Sequence, residues 1–213
     1  MHVGVLGGTG PAGRGLAIRA ASAGHDVRIG SRDASRASDV ADALRARRDL
    51  SVVGATNEEA AGCELVVVAT PWDAAVATVG PLAASLSGKV VLSMVNALVK
   101  QGREMVALLP ARGSMAAELQ AALPESSVTA ALHHVPASLM EDLSSGMTAD
   151  VLVCGDDPVA RTTTCGFIDS LDGLRAIEVG SLAQAGPIES FTAACITINI
   201  RHKVHSMVRL GGI

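Results

Sequence analysis

Apolar residues follow two alternating patterns along the chain. Short, mostly apolar runs predict buried strands, at residues 3–6, 25–30, 51–54, 64–69, 89–94, 127–132, 151–154 and 175–179. Stretches with apolar residues every three or four positions predict helices, at residues 14–23, 33–48, 57–62, 71–84, 114–123, 158–171 and 188–208. Because strands and helices alternate, the sequence predicts an α/β fold with a doubly wound, mostly parallel Rossmann-type sheet.

Three stretches have no clear period. We expect a loop with some helix at residues 97–109, irregular structure at 133–149 and a loop at 181–187. No sequence repeat and no low-complexity linker divides the chain. We therefore expect residues 1–132 to form the Rossmann-type domain, and residues 133–213 to be a small C-terminal extension of the same sheet that ends in a long C-terminal helix.

The composition adds information about the core and about partners. Apolar residues make up 49% of the 213 residues and charged residues 18%, which is typical of a folded chain. Phe167, Phe191 and Trp72 are the whole aromatic complement, so Ala, Val, Leu and Ile must fill the core. Few aromatic side chains and a net charge of −4 argue against a nucleic-acid partner.

The expected location is the cytoplasm, away from membranes. No apolar run approaches the ~20 residues of a membrane-spanning helix, and the N-terminus has no signal-peptide pattern. The four cysteines, Cys63, Cys154, Cys165 and Cys195, are far apart and form no C-x-x-C pair. They are typical of small buried side chains in a reducing compartment, not of a disulfide frame or a metal site.

The first predicted strand leads directly into a glycine-rich turn and a helix. The turn reads Gly7-Gly8-Thr9-Gly10-Pro11-Ala12-Gly13. In the G-x-G-x-x-G pattern, we expect Gly8 to make the tight turn, Gly10 to let a pyrophosphate approach the backbone, and Gly13 to let the helix pack closely. The helix N-terminus would present unpaired N–H groups to the phosphates. Strand, turn and helix together predict a dinucleotide-binding site.

The end of the second predicted strand indicates which dinucleotide binds. Rossmann units that bind NAD usually carry an acid about 20 residues after the last glycine, where it binds the 2′-hydroxyl of the ribose. This chain has Ser31-Arg32 there, with Arg36 one helical turn further on. A guanidinium pairs with a 2′-phosphate, which an acid would repel, so the sequence predicts NADP. The nearby Asp33 is interpreted as the N-cap of the next helix.

Two histidines follow the sixth predicted strand. His133 comes directly after it, so we expect its side chain at the carboxyl edge of the sheet, where ligands bind in doubly wound folds. Two interpretations are open: His133 contacts a nicotinamide or a substrate carbonyl, or it fixes the turn before Pro136. His134 is expected to point the other way and to be structural.

Further polar groups are predicted at the same edge of the sheet. Thr70-Pro71-Trp72 follows the most apolar strand, and Pro71 would begin a helix. Trp72 is interpreted as a pocket wall, not as a catalytic group. Asn96 and Lys100 follow the fifth strand, where each either reaches a substrate or makes no such contact.

No pattern in the sequence indicates a catalytic acid, a catalytic base or a metal ligand. It has no hydrolase motif such as G-x-S-x-G, and no Walker A lysine follows the glycine turn. His202-x-x-His205, with Arg201 and Lys203, is a basic segment without a nearby Cys or acid, so a solvated basic face is favoured over a metal site. This shortage of catalytic groups fits hydride transfer, which depends on holding two rings together.

Six segments, in this order, resemble one family: VGVLGGTGPAGRGLA, IGSRD, VVVATPWDAA, ALHHVPA, VLVCGDD and DGLRAIEVGSLAQAGPIES. The family is that of the NADPH-dependent coenzyme F420 reductases, also called F420-dependent NADP oxidoreductases. Part of the pattern is shared with the cytoplasmic domain of the six-transmembrane metalloreductases. Residues 97–112 and 202–213 resemble the family least.

The resemblance implies a homodimer that transfers a hydride between NADP(H) and the deazaflavin coenzyme F420. Residues 1–132 would bind NADP, and residues 133–213 would complete the pocket and the dimer interface. His133, Val135 and Pro136 would line the nicotinamide side, and Ala137 the deazaflavin side. The expected cofactor-binding residues are then Gly8, Thr9, Gly10, Pro11, Ala12, Gly13, Ser31, Arg32, Arg36, Thr70, Pro71, Trp72, Asn96, His133, Val135, Pro136 and Ala137.

Two other functions stay open at this point. An NADPH-dependent reductase could act on another acceptor, such as a flavin, an imine or a ferric chelate. A redox sensor would bind NADP(H) without turning it over.

Overall fold

The computed structural model describes residues 1–47, 50–144 and 146–213, with the backbone alone at 47. Arg48, the predicted end of the second helix, and position 145 of the predicted irregular stretch lie outside the described residues. The strands are β1 His2–Leu6, β2 Asp26–Ser31, β3 Val52–Thr56, β4 Leu65–Val68, β5 Val90–Ser93, β6 Leu98–Gln101, β7 Glu104–Ala107, β8 Ser127–Ala130, β9 Ala149–Gly155 and β10 Leu174–Glu178. The helices are α1 Pro11–Ser22, α2 Ala34–Arg47, α3 Asn57–Ala61, α4 Trp72–Val79, α5 Ala83–Leu86, α6 Met115–Ala122, α7 Ala137–Glu141, α8 Pro158–Ser170 and α9 Ala185–His202.

The main sheet has the strand order β10-β9-β8-β5-β4-β1-β2-β3. Neighbouring strands are parallel except for β8 and β9, which are antiparallel. From β1 the chain adds β2 and β3 on one side, and it then returns to add β4, β5 and β8 on the other. The doubly wound, mostly parallel fold is thus confirmed, and its crossing point lies between β1 and β4.

Alternate residues of the central strands point to opposite faces of the sheet. Leu65 and Val67 of β4 belong to one hydrophobic cluster, and Val66 and Val68 to the other. All four are buried, because helices cover both faces. Phe167 of α8 lies in the first cluster, so the C-terminal extension shares the core of the preceding strands.

Residues 97–109 form a β-hairpin, where the sequence predicted a loop with some helix. β6 and β7 pair in antiparallel register around Gly102, whose φ of +60° suits glycine. The N–H of Met105 donates to Oγ1 of Thr197 in α9, at 2.9 Å. Because the hairpin is held by a helix from a distant part of the chain, no local period indicates it.

Two helices also differ from the prediction. The helix expected at residues 71–84 is divided into α4, a 3-10 turn at Gly80–Leu82 and α5. Pro81 explains the break, because proline has no N–H to continue an α-helix. The stretch predicted as irregular contains the short helix α7. No helix in the described ranges has the length and apolar character needed to cross a membrane.

The long C-terminal helix is confirmed, but both of its ends lie earlier than predicted. A 3-10 turn at Leu182–Gln184 leads into α9, which ends at His202. Lys203 terminates it in the left-handed conformation, with φ of +55°. Residues 203–213, the C-terminal tail, then turn back to the sheet, where the N–H of Asp150 donates to the carbonyl oxygen of Val208 at 2.8 Å.

Candidate functional site

The turn after β1 brings the motif glycines together. The N–H of Gly8 donates to the carbonyl oxygen of Val5 at 3.1 Å and closes the turn. A Cβ atom on Gly13 would lie 2.6 Å from the Cα atom of Gly8, so only glycine lets α1 pack this closely. A Cβ atom on Gly10 would meet no heavy atom nearer than the carbonyl oxygen of Gly7, at 3.7 Å. Gly10 therefore leaves room beside the turn for a ligand.

The N-terminus of α1 has no side-chain cap. Its N-cap residue is Gly10, Pro11 is the first helical residue, and no acid lies in the first turn. The N–H groups of Ala12 and Gly13 therefore have no helical carbonyl to bind. The carbonyl oxygen of Thr9 accepts from Nη1 of Arg14 at 3.2 Å, which fixes the turn. This helix end carries a partial positive charge and is suited to bind an anion.

The end of β2 presents two arginines. Ser31 is buried, and its Oγ atom accepts from the N–H of Asp33 at 3.1 Å. Asp33 accepts from the N–H of Arg36 at 3.2 Å and so caps α2, as predicted. The side chains of Arg32 and Arg36 are exposed. The carboxylate of Asp33 is thus engaged with the backbone, while both guanidinium groups face solvent.

The loops after β1 and β4 meet at the crossing point of the sheet. A Cβ atom on Gly7 would lie 2.6 Å from Cγ2 of Thr70, so the two loops are in contact. Oγ1 of Thr70 is buried and has no hydrogen-bond partner among the described residues. Pro71 is the N-cap of α4, and Trp72, the first residue of that helix, is 40% exposed.

Asn96 and His133 add more unpartnered polar atoms at this edge. Nδ2 of Asn96 donates to the carbonyl oxygen of His133 at 3.1 Å, while its Oδ1 atom is buried without a partner. The side chain of His133 is buried, and neither ring nitrogen makes a hydrogen bond of normal geometry with the described residues. Thr70, Asn96 and His133, the buried polar trio, follow the neighbouring strands β4, β5 and β8. Buried polar groups are normally hydrogen-bonded, so this trio is typical of a site for a polar ligand.

The imidazole of His133 is neutral at physiological pH. Burial lowers its pKa to about 3, the neighbouring His134 contributes to the decrease, and the backbone of Val95 opposes it. A neutral imidazole can donate one hydrogen bond and accept another. His133 can therefore bind a polar ligand, but it is not a ready proton donor.

The residues after His133 form a turn and the start of α7. His134 is structural, as predicted, because its Nε2 atom bonds to the carbonyl oxygen of Asp150 at 2.8 Å. The N–H of Val135 bonds to the carbonyl oxygen of Leu132 at 3.3 Å and closes a turn. Pro136 is the N-cap of α7, and Ala137 is its first residue. The position of α7 therefore decides where these residues lie.

The residue that holds α7 in place is Arg19, for which the sequence predicted no role. Arg19 of α1 is 3% exposed, and three of its hydrogen bonds go to carbonyl oxygens near the C-terminal end of α7. These are the carbonyls of Leu139 (2.8 Å), Met140 (3.2 Å) and Asp142 (3.1 Å). A helix leaves such carbonyls without internal partners. The signal in the sequence is a single arginine within the apolar segment LAIRAA.

Glu189 of α9 is a second residue that the sequence reading missed. Its buried carboxylate accepts from the N–H groups of Met115 at 2.8 Å and Ala116 at 3.1 Å. Burial raises the pKa of Glu189 to about 7, and the two N–H donors oppose the increase. Glu189 thus joins the C-terminal helix to the start of α6. An acid within an apolar helix is the signal that could have indicated it.

The remaining candidate residues form no metal or thiolate site. Within the described ranges, no group of three or more His, Cys, Asp or Glu residues could hold a metal ion. The four cysteines are unpaired, and burial raises the pKa of Cys154 to about 12. Nδ1 of His205 bonds to Oγ of Ser138 at 3.2 Å. Lys100 lies exposed on β6.

The glycine turn, the arginines after β2 and the buried polar trio lie along the carboxyl edge of one doubly wound sheet. Ligands bind at this edge in folds of this kind, beside the crossing point. These features define a Rossmann-type dinucleotide-binding protein.

Comparison with known proteins narrows this class. The family profile described as NADP oxidoreductase coenzyme F420-dependent matches residues 2–97. The F420-dependent NADP reductase of Methanocaldococcus jannaschii is 34% identical over 211 residues, which cover 95% of this chain and 94% of the relative. The protein of the same name from Methanothermobacter marburgensis is 35% identical over 214 residues, 97% of this chain and 96% of the relative. The chain belongs to the family of F420-dependent NADP reductases.

A solved structure agrees with this assignment. The crystal structure of a candidate F420-dependent NADP reductase from Arthrobacter sp. FB24 matches with a TM-score of 0.83 and 26% identity. The match covers 98% of this chain and 99% of that chain. The family that the sequence segments resemble is thus confirmed over nearly the whole chain.

Proposed function

We propose that the protein transfers a hydride directly between NADP(H) and the deazaflavin coenzyme F420. Proteins named F420-dependent NADP reductase match nearly its whole length. The observation that carries the proposal is the buried polar trio, three side chains with unpartnered polar atoms at the ends of neighbouring strands. A nicotinamide carboxamide has a carbonyl oxygen and an NH2 group, so it would satisfy atoms of this kind.

The proposed NADP(H) site extends from the trio to the end of β2. Residues 8–13 would hold the pyrophosphate, because Gly10 leaves room beside the turn and α1 begins uncapped. Ser31, Arg32 and Arg36 would hold the 2′-phosphate through a hydroxyl and two exposed guanidinium groups. The residue types present thus suit NADP(H) better than NAD(H).

The nicotinamide and acceptor sides of the pocket come from two loops. Thr70, Pro71 and Trp72 would border the nicotinamide from β4, with the exposed indole as a wall. His133 and residues 135–136 would line it from β8, and Ala137 would face the deazaflavin. When bound, the two coenzymes supply the hydride donor and acceptor. The side chains hold the rings together and exclude water, so we assign no catalytic acid or base.

Mixing the purified protein with NADPH and oxidised F420 tests this function against its two rivals. Loss of the visible absorbance of F420, at the rate of NADPH oxidation, is the expected result. Turnover only with a flavin, an imine or a ferric chelate would assign the protein to another acceptor. Tight NADPH binding without turnover of any acceptor would make it a redox sensor.

We also propose that the protein is a homodimer in which the two parts of each chain have different roles. Residues 1–132 would bind NADP(H), and residues 133–213 would complete the pocket and form the interface. The outward face of α9 supports this interface: Phe191, Ala194 and Ile198 recur at helical spacing and are exposed, the first and last by 45% each. Exposed apolar side chains in such a row are typical of a helix that packs against a partner.

A further inference from the structure

The backbone takes an unusual conformation at Leu132, the residue directly before His133. Among the non-glycine residues that the structure describes, Leu132 and Lys203 alone have a positive φ, of +67° and +55°. Lys203 is exposed at the end of α9, where a left-handed residue often terminates a helix. Leu132 is 2% exposed and lies in the first hydrophobic cluster. Because the left-handed region crowds the Cβ atom of an L-residue against the backbone, this buried leucine is strained.

The turn at Leu132 breaks the alternation of β8. Ala130 belongs to the second cluster and Ala131 to the first, so they point to opposite faces of the sheet. A continuing strand would place the next side chain beside Ala130. Leu132 instead lies in the same cluster as Ala131. The direction in which the chain presents His133 is therefore set by the turn and not by the pleat of the strand.

Hydrogen bonds to β5 and to the residue that follows its loop fix the chain on both sides of Leu132. Before the turn, the N–H of Ala131 donates to the carbonyl oxygen of Ser93 at 3.1 Å and continues the pairing of β8 with β5. After the turn, the carbonyl oxygen of His133 accepts from Nδ2 of Asn96 at 3.1 Å. The surrounding structure thus imposes the left-handed conformation, as is typical of strain retained at functional sites.

Two further contacts hold the residues after the turn. The N–H of Val135 donates to the carbonyl oxygen of Leu132 at 3.3 Å. Nε2 of His134 bonds to the carbonyl oxygen of Asp150, on β9, at 2.8 Å. The backbone around His133 is therefore held from several sides, whereas both nitrogens of its buried ring have no hydrogen-bond partner of normal geometry among the described residues. The turn fixes the chain and leaves the ring for a ligand.

The role proposed above for His133 requires a fixed ring direction. A neutral imidazole donates one hydrogen bond and accepts one, both in the plane of the ring. Hydrogen bonds weaken steeply when donor and acceptor are misaligned. A rotation of the backbone before His133 would swing the ring nitrogens away from a carboxamide, even with every side chain of the buried polar trio still present.

We propose that Leu132 is a positioning residue for the nicotinamide, because its left-handed backbone directs the ring of His133 toward the carboxamide. The proposal rests on the function proposed above, since it takes the buried polar trio as the nicotinamide site. Leu132 itself is buried in the core and acts through His133. What the site requires at this position is the backbone conformation, so residues that resist a positive φ should lose recognition of the nicotinamide.

Leu132→Ile tests this requirement. Isoleucine has the same atoms as leucine, but its β-branched side chain is strongly disfavoured in the left-handed region. The ligands are NADPH and 2′-phospho-ADP-ribose, which is NADPH without the nicotinamide. We expect the Kd for NADPH to rise about tenfold, as the loss of one or two hydrogen bonds would give, and the Kd for the fragment to stay unchanged. Isothermal titration calorimetry measures both constants.

Leu92→Ile is the matched control. It makes the same exchange at a fully buried leucine of the same cluster, in the regular strand β5, where a β-branched residue is well accommodated. Both Kd values should stay unchanged in this variant. A rise in the NADPH value equal to that of Leu132→Ile would overturn the proposal, because core packing alone would then explain the effect.

Leu132→Gly separates the backbone from the side chain. Glycine adopts a positive φ without strain, so the ratio of the two Kd values should stay within about a factor of two of wild type, although the lost side chain lowers the melting temperature. A merely structural role predicts the reverse order, because glycine removes more packing than isoleucine does. A raised NADPH Kd with an unchanged fragment Kd in Leu132→Gly would refute the proposal, as would an unchanged ratio in Leu132→Ile.

Failure of the proposed function gives a different result, because these binding measurements need no acceptor. If the wild type binds NADPH and the fragment equally, the nicotinamide makes no contact, and the positioning role fails with the proposed nicotinamide site. If the wild type prefers NADPH and the variants behave as expected, but F420 is not reduced, the hydride transfer fails and the positioning role stands.

Discussion

The guanidinium of Arg19 donates a 2.8 Å hydrogen bond to the carbonyl oxygen of Leu139 and so ties α7 to α1. Arg19→Met keeps an unbranched apolar side chain but removes every donor. We expect the free energy of unfolding to fall by about 3 kcal/mol, because each buried carbonyl left unpaired costs roughly 1–3 kcal/mol. Urea denaturation followed by circular dichroism measures the loss. Arg28→Met is the control: its exposed guanidinium donates to one carbonyl, that of Glu59, and a comparable loss there would contradict the role of Arg19.

Gly10 and Gly13 form a matched pair of glycines with different neighbours. Gly13→Ala should lower stability by about 2 kcal/mol or more, since its Cβ would lie 2.6 Å from the Cα atom of Gly8. Gly10→Ala should leave the melting temperature nearly unchanged but weaken NADPH binding, because its Cβ occupies the space beside the turn. Thermal melts and titration with NADPH separate the two effects. Unchanged NADPH affinity in a folded Gly10→Ala variant would refute the proposed pyrophosphate site.

Arg32→Ala tests the proposed 2′-phosphate site. We expect the KM for NADPH to rise about tenfold, as befits a charge-assisted hydrogen bond, while the KM for NADH changes little. Steady-state kinetics with both dinucleotides gives the comparison. Arg32→Lys keeps the charge without the planar fork and should lie between wild type and alanine. An equal rise in KM for NADPH and NADH would show that Arg32 does not bind the 2′-phosphate.

His133 makes stability depend on pH in a defined direction. Its pKa is lowered from 6.5 to about 3, so between these values the unfolded chain binds a proton that the folded chain does not. The stability due to neutral His133 is complete above pH 6.5 and is lost as pH falls, by up to about 1.4 kcal/mol per unit. His133→Gln should therefore flatten the pH dependence of unfolding in this window. Other groups titrate in both proteins, so the difference between the two curves isolates His133, and parallel curves would disprove the assignment.

The exposed face of α9 predicts a dimer that one substitution can dissociate. Phe191→Glu should convert the dimer to a monomer, because a buried unpaired carboxylate is costly at an apolar interface. Light scattering after size-exclusion chromatography measures the mass of each species. Val159→Glu changes another exposed apolar residue, on α8, and should leave the mass unchanged. A monomeric wild type would contradict the proposed homodimer.

Local patterns are sufficient to predict the half of the site that belongs to β1 and β2. The glycine turn, Ser31 and Arg32 follow strands with clear apolar runs, and in the proposed site each would act through its own backbone or charge. Asp33 caps α2 through a bond to a residue three positions away, which is again local. Such features are readable from the sequence because the physical partners are neighbours in it.

The rest of the site depends on contacts between distant parts of the chain. The hairpin is held by Thr197, which is 92 residues from Met105, and α7 is held by Arg19, which is 120 residues from Leu139. The end of α9 is likewise decided by the attachment of the tail at Asp150. No periodicity can indicate partners at such separations, so the hairpin, α7 and the last helical turns were predicted wrongly.

Gly15 brings α1 and α7 into direct contact. A Cβ atom there would lie 2.8 Å from Cβ of Met140 and 2.9 Å from the carbonyl oxygen of Ala137, so α1 and α7 are in direct contact. The helix that begins at the glycine turn therefore packs directly against α7, whose first residue is Ala137. The gap between two bound coenzymes would be set when the chain folds, not by a later closing motion. A new acceptor would then be accommodated through changes in the hairpin and the C-terminal tail, which makes these two segments the natural targets for redesign.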